Sequence, residues 1–553
     1  MSYQLSRRRF LQRGISVAAA GLAAPSLLGK GHSAFAAGPG AAVAGPFQPS
    51  WDSLAQYQYP DWFRDAKFGI WAHWGPQCQP GQGDWYARHM YIQGHPHYKY
   101  QCAHYGHPSK AGFKDTAATW RAESWDPEHL LDLYKKAGAK YFMALANHHD
   151  NFDTFDSTYQ HFNSVKIGPK KDLIGGWEKA TRAAGLRFAV SVHAAHAWSW
   201  YEVAQGSDKT GPLAGVPYDG KMTEADGKGL WWDGLDPQDL YAQAHVPGKK
   251  EVWDWQVDQG SSTPDQAYSD KLFNRTIELI DKYNPDLLYF DDTVMPLYNV
   301  TDIGLRIAAY LYNKSLQRNN GTMEAVMTGK GLSREQQRCL MLDIERGVSG
   351  HIEEYPWQSE TCIGRWHYDV NLFNRHGYQS PDTITHLLVD TVSKNGNFML
   401  SIPLPGSGEP DSDELMFLAN LTAWMDINGP GIYGTRPWKV YGEGPVVDAA
   451  NARQFTPPGT PKPRVVYTAE DIRFVQKKNE LFAFALAWPD NGTLAIKSLN
   501  TPASVKRVEA LGAPGVDLTY QQDANGLSVT LPAQRPGNYV YGFKILGDGI
   551  TTI

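Results

Sequence analysis

The chain is poor in cysteine, in basic tracts and in long apolar runs, and each shortage removes a class of function. Its four cysteines, Cys78, Cys102, Cys339 and Cys362, fit no zinc-ligand spacing, and its 553 residues hold no His-Glu-x-x-His segment. Neither a cysteine-based zinc module nor a helical zinc hydrolase is therefore expected. The net charge of −6 comes without a long basic run, which argues against nucleic acid as a partner. Past the N-terminal segment no stretch reaches the roughly 18 consecutive apolar residues of a membrane span, so no stable membrane insertion is expected. No motif calls for a cofactor.

Aromatic residues, by contrast, make up 12% of the chain. Exposed aromatic faces are the usual platform for sugar rings, although most aromatics in any protein are core. The N-terminus carries Ser6-Arg7-Arg8-Arg9-Phe10-Leu11, an Ala- and Gly-rich apolar stretch from Ile15 to Leu28, and Ala34-Phe35-Ala36. Residues 1–36 thus read as a twin-arginine signal peptide, with the translocase as a transient partner and a periplasmic or secreted destination in a bacterium. Such a compartment permits disulfides, and Cys78 with Cys102 is the more local pairing. Residues 37–50, rich in Gly, Ala and Pro, read as a flexible lead-in.

From Trp51 short apolar runs alternate with helical segments. The runs are Lys67–His73, Tyr141–Ala146, Leu186–Val192, Leu287–Asp291, Glu324–Thr328, Cys339–Ile344 and Asn397–Ile402. Seven or eight strand–helix repeats predict an α/β fold, a (β/α)8-like TIM-type barrel over residues 51–435. Residues 203–265 form a long polar insertion, of a length that in a barrel usually has a function. After residue 436 short alternating strands separated by turn residues predict a C-terminal β-sandwich.

Chemistry accumulates where these runs stop: His73-Trp74-Gly75, Asn147-His148-His149-Asp150, His193-Ala194-Ala195-His196, Asp291-Asp292 and Glu345-Arg346. The C-terminal ends of barrel strands share one face, where such enzymes keep their active sites. A lone Asp291 reads equally well as a helix cap; five polar strand ends in register point to a site. Metal is disfavoured there, because adjacent strand residues such as His148 and His149 point to opposite faces and no third ligand has a sensible spacing. Carbohydrate fits better. His73, His148 and His149 can donate and accept, Asp84 can accept and Trp85 can stack. Hydrolysis needs a second carboxyl group across the scissile bond from Asp291, about 5–5.5 Å away in a retaining enzyme.

These residues resemble glycoside hydrolase family 29, the α-L-fucosidases. The matching pieces are Trp62–Ile70 with His73-Trp74-Gly75, Asp84–Met90, His148–Phe152, Asn163-Ser164-Val165 with Pro169–Leu173, Pro285–Asp291, Lys394–Asn397 and Asn428–Thr435, in the family's order from about residue 55 to 440. The resemblance implies a retaining exo-glycosidase acting on terminal α-L-fucose of glycans by double displacement. It assigns Asp291 as nucleophile and His73, Trp85, His148 and His149 to the sugar. Asp84 stands where the family usually has Glu, and Asp292 where Gly or Met is usual; a second carboxylate there raises the nucleophile's pKa unless it turns away. Gln358, in Trp357-Gln358-Ser359-Glu360, stands where many members carry the acid/base Glu. Glu345 is then the first choice for that role, through the likeness of Ile344-Glu345-Arg346-Gly347 to an Asn-Glu-x-Gly segment of a second branch. Glu360 is the alternative, and Glu353 and Glu354 rank third. Arg346 is expected to face substrate or another acid such as Asp343, since on Glu345 it would depress that group's pKa. His193 completes the substrate set, and Trp366, Tyr368 and Phe290 are candidates for the apolar wall beside the C5 methyl group. Two other functions stay open on sequence alone: the same chemistry on an α-L-galactoside, and a non-catalytic fucose-binding protein, motivated by Gln358.

Overall fold

Strands that are apolar on successive positions need cover on both faces, which a barrel wrapped in helices supplies. In the computed structural model, which describes residues 43–242, 263–449, 466–500 and 504–551, eight parallel strands do this. They are β1 (Phe68–Ala72), β2 (Tyr141–Asn147), β3 (Arg187–Val192), β4 (Leu287–Phe290), β5 (Val326–Lys330), β6 (Met341–Glu345), β7 (Trp357–Cys362) and β8 (Gly396–Ser401). They pair in chain order and close, with Gly69 of β1 opposite Met399 of β8. The signal segment, most of the lead-in and residues 243–262 of the insertion lie outside the described residues.

Alternation sorts the side chains. Trp71, Tyr141, Met143, Ala189, Leu287, Tyr289, Val326, Met341 and Met399 fill the barrel interior. Their strand neighbours Ile70, Phe142, Val190, Leu288, Phe290, Met327 and Phe398 pack outward in the larger core, with the helices. Capping sets the helix starts. Asp126, Asp172, Asp265 and Ser380 accept backbone N–H bonds in the first turns of Pro127–Lys136, Leu173–Ala183, Gln266–Tyr283 and Pro381–Ser393, each worth about 1 kcal/mol. Before β4, Asn284 ends its helix in the left-handed region (φ 48°) and Asp286 accepts from Phe188 N at 2.8 Å. The acid below β4 therefore ties strands together, while Asp291 above it faces the site.

Two strand expectations need correction. The Pro356–Gly364 segment, absent from the strand runs expected from sequence, contains β7, buried at every position. Its polar sequence hides it because Gln358 and Glu360 fill the barrel interior through hydrogen bonds. Likewise β5 runs two residues past Thr328, to Lys330. The insertion, where described, is a chain of short 3-10 turns from Tyr201–Gln205 to Pro237–Asp239, anchored by the buried Lys114–Asp219 ion pair at 3.2 Å.

The C-terminal unit is a sandwich. One sheet has the order β13 (Ser504–Ala510), β16 (Tyr541–Asp548), β11 (Glu480–Ala485), β10 (Ile472–Lys477), β9 (Arg436–Glu443); the other is β12 (Thr493–Ile496), β15 (Gly526–Thr530), β14 (Tyr520–Asp523). Phe474, Leu481, Phe543 and Ile545 meet Leu494, Leu527 and Val529 between the sheets. Val475, Phe482 and Phe484, on the opposite face, join the barrel's outer core. The junction holds Asp390 of the helix Pro381–Ser393 between Arg473 Nε (2.6 Å) and Lys394 Nζ (2.8 Å), all three fully buried. All four cysteines are free thiols, so the Cys78–Cys102 pairing is absent. No helix among the described residues is long and apolar enough to cross a membrane. Removing Asp390 leaves two buried cations facing each other. Asp390→Ala is expected to lose about 3–5 kcal/mol, read as a lowered thermal midpoint; an unchanged midpoint refutes the junction's role.

Candidate active site

The inward parity of the strands continues past their upper ends and carries the polar residues with it. Trp71 leads to His73, Ala189 to His193, Tyr289 to Asp291, Val326 to Lys330 and Met341 to Glu345, each an even number of steps on. All arrive over the interior layer capped by Tyr289 and Trp71.

Lys330 is the hub, and no sequence pattern marked it. Its Nζ lies 2.5 Å from Asp291 Oδ1, 3.1 Å from Glu345 Oε2 and 3.2 Å from Glu360 Oε1. The backbone locks this arrangement. Lys330 N donates to Asp292 O (3.3 Å) and Val294 N donates to Lys330 O (2.8 Å), which drives Val294 to φ 66°. A β-branched residue there is strained, a cost tolerated where geometry matters.

The carboxyls differ in environment. Burial pushes the Asp291 pKa up, but the Lys330 ammonium and hydrogen bonds from His149 and His193 outweigh it and hold the group well below the usual carboxylate range. His149 Nε2 stands 3.3 Å and His193 Nδ1 3.4 Å from Asp291 Oδ2. Glu360 is 1% exposed and accepts from Tyr289 OH at 2.7 Å. Burial, with Asp343 beside it, pushes its pKa well up, so it stays a neutral acid. Asp343 below is pushed up to about 6, by burial above all, and accepts from Gln358 Nε2 at 2.9 Å. Glu345 keeps 26% of its side chain exposed and Asp291 23%.

The predicted sugar-binding residues come together, with one reason revised. His148 and His149 lie on the same side, ring centroids 4.3 Å apart, because β2 ends at Asn147 and strand alternation no longer applies. Ring nitrogens of His148, His149 and His193 come within 4.8 Å of one another, so the parity argument against a metal there fails. In this structure His148 Nδ1 bonds Gln77 Nε2 at 2.9 Å and His149 Nδ1 bonds His193 O at 3.0 Å, which leaves His149 Nε2 directed at Asp291. His73 lies 5.0 Å from His148 and 5.6 Å from Trp366, ring to ring, with both ring nitrogens buried and making no hydrogen bond. Burial pushes its pKa well down and keeps it neutral. Asp84 accepts from His367 N at 2.8 Å. Trp85, at φ 63°, turns its ring to 6.4 Å from His149. Trp366 lies 5.5 Å from Trp71, ring to ring, with the planes tilted by 49°.

Other expectations shift. Asp292 turns away from Asp291 to His196 Nε2 at 3.0 Å. Arg346 does not reach Asp343; its guanidinium lies 4.9 Å over Trp366 and 3.0 Å from Cys362 Sγ. Phe290 and Tyr368 belong to the outer core, whereas Trp366 packs against the interior cluster. Gln358 is fully buried, one interior layer below Glu360, accepting from Tyr141 OH at 2.9 Å. A glutamate there would not reach a sugar. Glu353 and Glu354 sit away from the barrel rim: Glu353 accepts from Ser349 Oγ at 2.6 Å, and Glu354 pairs with exposed Arg334. His367, 4.7 Å from both His73 and His148, was missed, as nothing in Trp366-His367-Tyr368 sets it apart by spacing.

A closed parallel barrel with carboxyls, imidazoles and indoles at its upper rim is the architecture of a glycoside hydrolase. Residues 35–430 match the α-L-fucosidase family and residues 462–546 its C-terminal domain. The chain belongs to that family, glycoside hydrolase family 29. It is 25% identical to the tissue α-L-fucosidase of Rattus norvegicus over 514 residues, 89% of this chain and 90% of that one. It is 24% identical to the Homo sapiens tissue enzyme over 522 residues, 91% and 92% of the two chains. Among solved structures, the α-fucosidase of Thermotoga maritima in complex with a mechanism based inhibitor superposes with a TM-score of 0.66 at 25% identity, covering 90% of this chain and 100% of that one.

Lys330→Gln removes the charge that keeps Asp291 ionised. The acidic limb of the kcat/KM profile is expected to move up by at least about one pH unit, with kcat/KM down about 10²-fold or more. An unmoved acidic limb would sink this account of Lys330.

Proposed function

We propose that the protein hydrolyses terminal α-L-fucosidic bonds of glycans with retention, Asp291 acting as nucleophile and Glu345 as acid/base. The observation that carries this reading is the shared ammonium. Two carboxylate oxygens at 2.5 and 3.1 Å from one nitrogen can be no farther apart than the sum of those distances. That ceiling, which applies to the two nearest oxygens, is in keeping with the about 5–5.5 Å separation of a retaining pair. Glu345 is preferred over Glu360 on access. The acid/base must touch the leaving oxygen and later a water, and Glu360 is sealed beneath the rim.

In the first step Asp291, ionised, attacks the anomeric carbon while Glu345 donates its proton to the departing oxygen. In the second Glu345 takes a proton from water, which displaces Asp291 from the glycosyl ester. His73, His148, His149, His193 and Asp84 offer donors and acceptors to the hydroxyls, Trp85 a ring face, and Trp366 the wall for the C5 methyl group. With Gln358 deep in the barrel, its lack of an acidic proton gives no ground for a non-catalytic binder. We also assign residues 1–36 to twin-arginine export, which replacing Arg7, Arg8 and Arg9 by lysine is expected to block. Normal export of that variant would refute the assignment.

On an aryl α-L-fucoside, Asp291→Gly is expected to lose activity and, with azide, to yield the β-fucosyl azide. Glu345→Ala is expected to be slow and to yield the α-azide, because azide then intercepts the covalent intermediate. Azide rescue of Glu360→Ala instead would move the acid/base. Faster turnover of the matching α-L-galactoside would overturn the fucose assignment.

A further inference from the structure

We propose that His89, His95 and His97 form a site for one divalent first-row transition ion, zinc by preference, on the loop and helix start beside the sugar pocket. The residues come from one stretch, His89-Met90-Tyr91-Ile92-Gln93-Gly94-His95-Pro96-His97. Their rings gather at 4.3 Å (His89 to His95), 4.7 Å (His95 to His97) and 5.4 Å (His89 to His97) between centroids. One ring nitrogen of each lies within 4.8 Å of those of the other two. A tetrahedral zinc with nitrogens at about 2.0–2.1 Å separates its ligands by roughly 3.4 Å. The three rings therefore need to close by about an ångström and a half at most.

The hydrogen bonds leave the right atoms available. His97 Nε2 meets the carbonyl of Gln82 at 3.0 Å, so it carries the proton, and Nδ1, buried and making no hydrogen bond, keeps its lone pair. That is the outer-shell pattern of metal-bound histidine, the far N–H held by a backbone carbonyl. His95 Nδ1 caps the helix Pro96–His104 by accepting from His97 N at 3.1 Å, which leaves Nε2 as its ligand atom. His89 Nδ1 is buried without a hydrogen bond. Arg88, next to His89 in the chain, directs Nη1 to the Trp200 carbonyl. Three imidazoles without thiolate or carboxylate suit zinc, copper or nickel rather than magnesium or calcium, and the fourth position is left to solvent.

The place gives the ion a task. Trp85 lies 5.8 Å from His89 on one side and 6.4 Å from His149 on the other. Gln93, between the ligands, binds the insertion through Thr210 O and Lys209 N at 2.9 Å each. An ion here clamps the turn that carries Trp85 against the insertion without touching the reacting atoms.

The test is zinc chloride titration of the untagged, metal-stripped chain at pH 7.5, by calorimetry and thermal unfolding. One equivalent bound at micromolar Kd or tighter and a raised midpoint are expected. At least tenfold weaker binding is expected both for His95→Gln, the mildest change, and for His89→Gln combined with His95→Gln. No stoichiometric binding, binding unaltered in both variants, or zinc displaced competitively by fucose would each overturn the site, the last two by placing the ion on the pocket histidines.

Discussion

The upper half of this barrel is organised around one ammonium group shared by three carboxyls. Without Lys330, Asp291, Glu345 and Glu360 would crowd one another in a region of low polarity, and like charges so placed suppress each other's ionisation. With it, one acid is held as the anion and the most deeply buried is left neutral. Two acids that share one cation thus differ in protonation because their surroundings differ. The pieces around Lys330 serve its position: the stitched ends of β4 and β5, the strained Val294, and the hydrogen-bonded layer of Tyr289, Gln358 and Asp343 beneath.

That lower layer explains how a barrel interior can be polar and still firm. Tyr141, Gln358 and Asp343 form a chain of hydrogen bonds, and Tyr289 extends it by its own bond to Glu360. The hydroxyls and the amide find partners in place of water, while one oxygen each of Asp343 and Glu360 stays without a hydrogen bond. The apolar residues of the same interior, from Met143 to Met399, need only fill volume.

Much of this was legible because strand ends in a barrel are a positional code. Asp291, His73, His193 and Glu345 are each the polar residue just past an apolar run, and each stands on the rim where that position puts it. β7 and Lys330 carry no sequence signal: a strand whose inner face is satisfied by hydrogen bonds lacks an apolar signature, and a lysine two residues past a short run reads as solvent-facing. His148 and His149 share a side because strand alternation stops at Asn147. His367 had no signal, since its place depends on a loop returning over β1.

The pocket draws on residues from His73 to His367, contributed by every strand end from β1 to β7 and by two long loops. No contiguous fragment of the chain holds enough of them to bind or cut anything. Function here is therefore a property of ring closure: a polypeptide still emerging from the ribosome, or one with a single strand out of register, is inert rather than partly active. The groups of the rim meet only when all eight strands are paired in order.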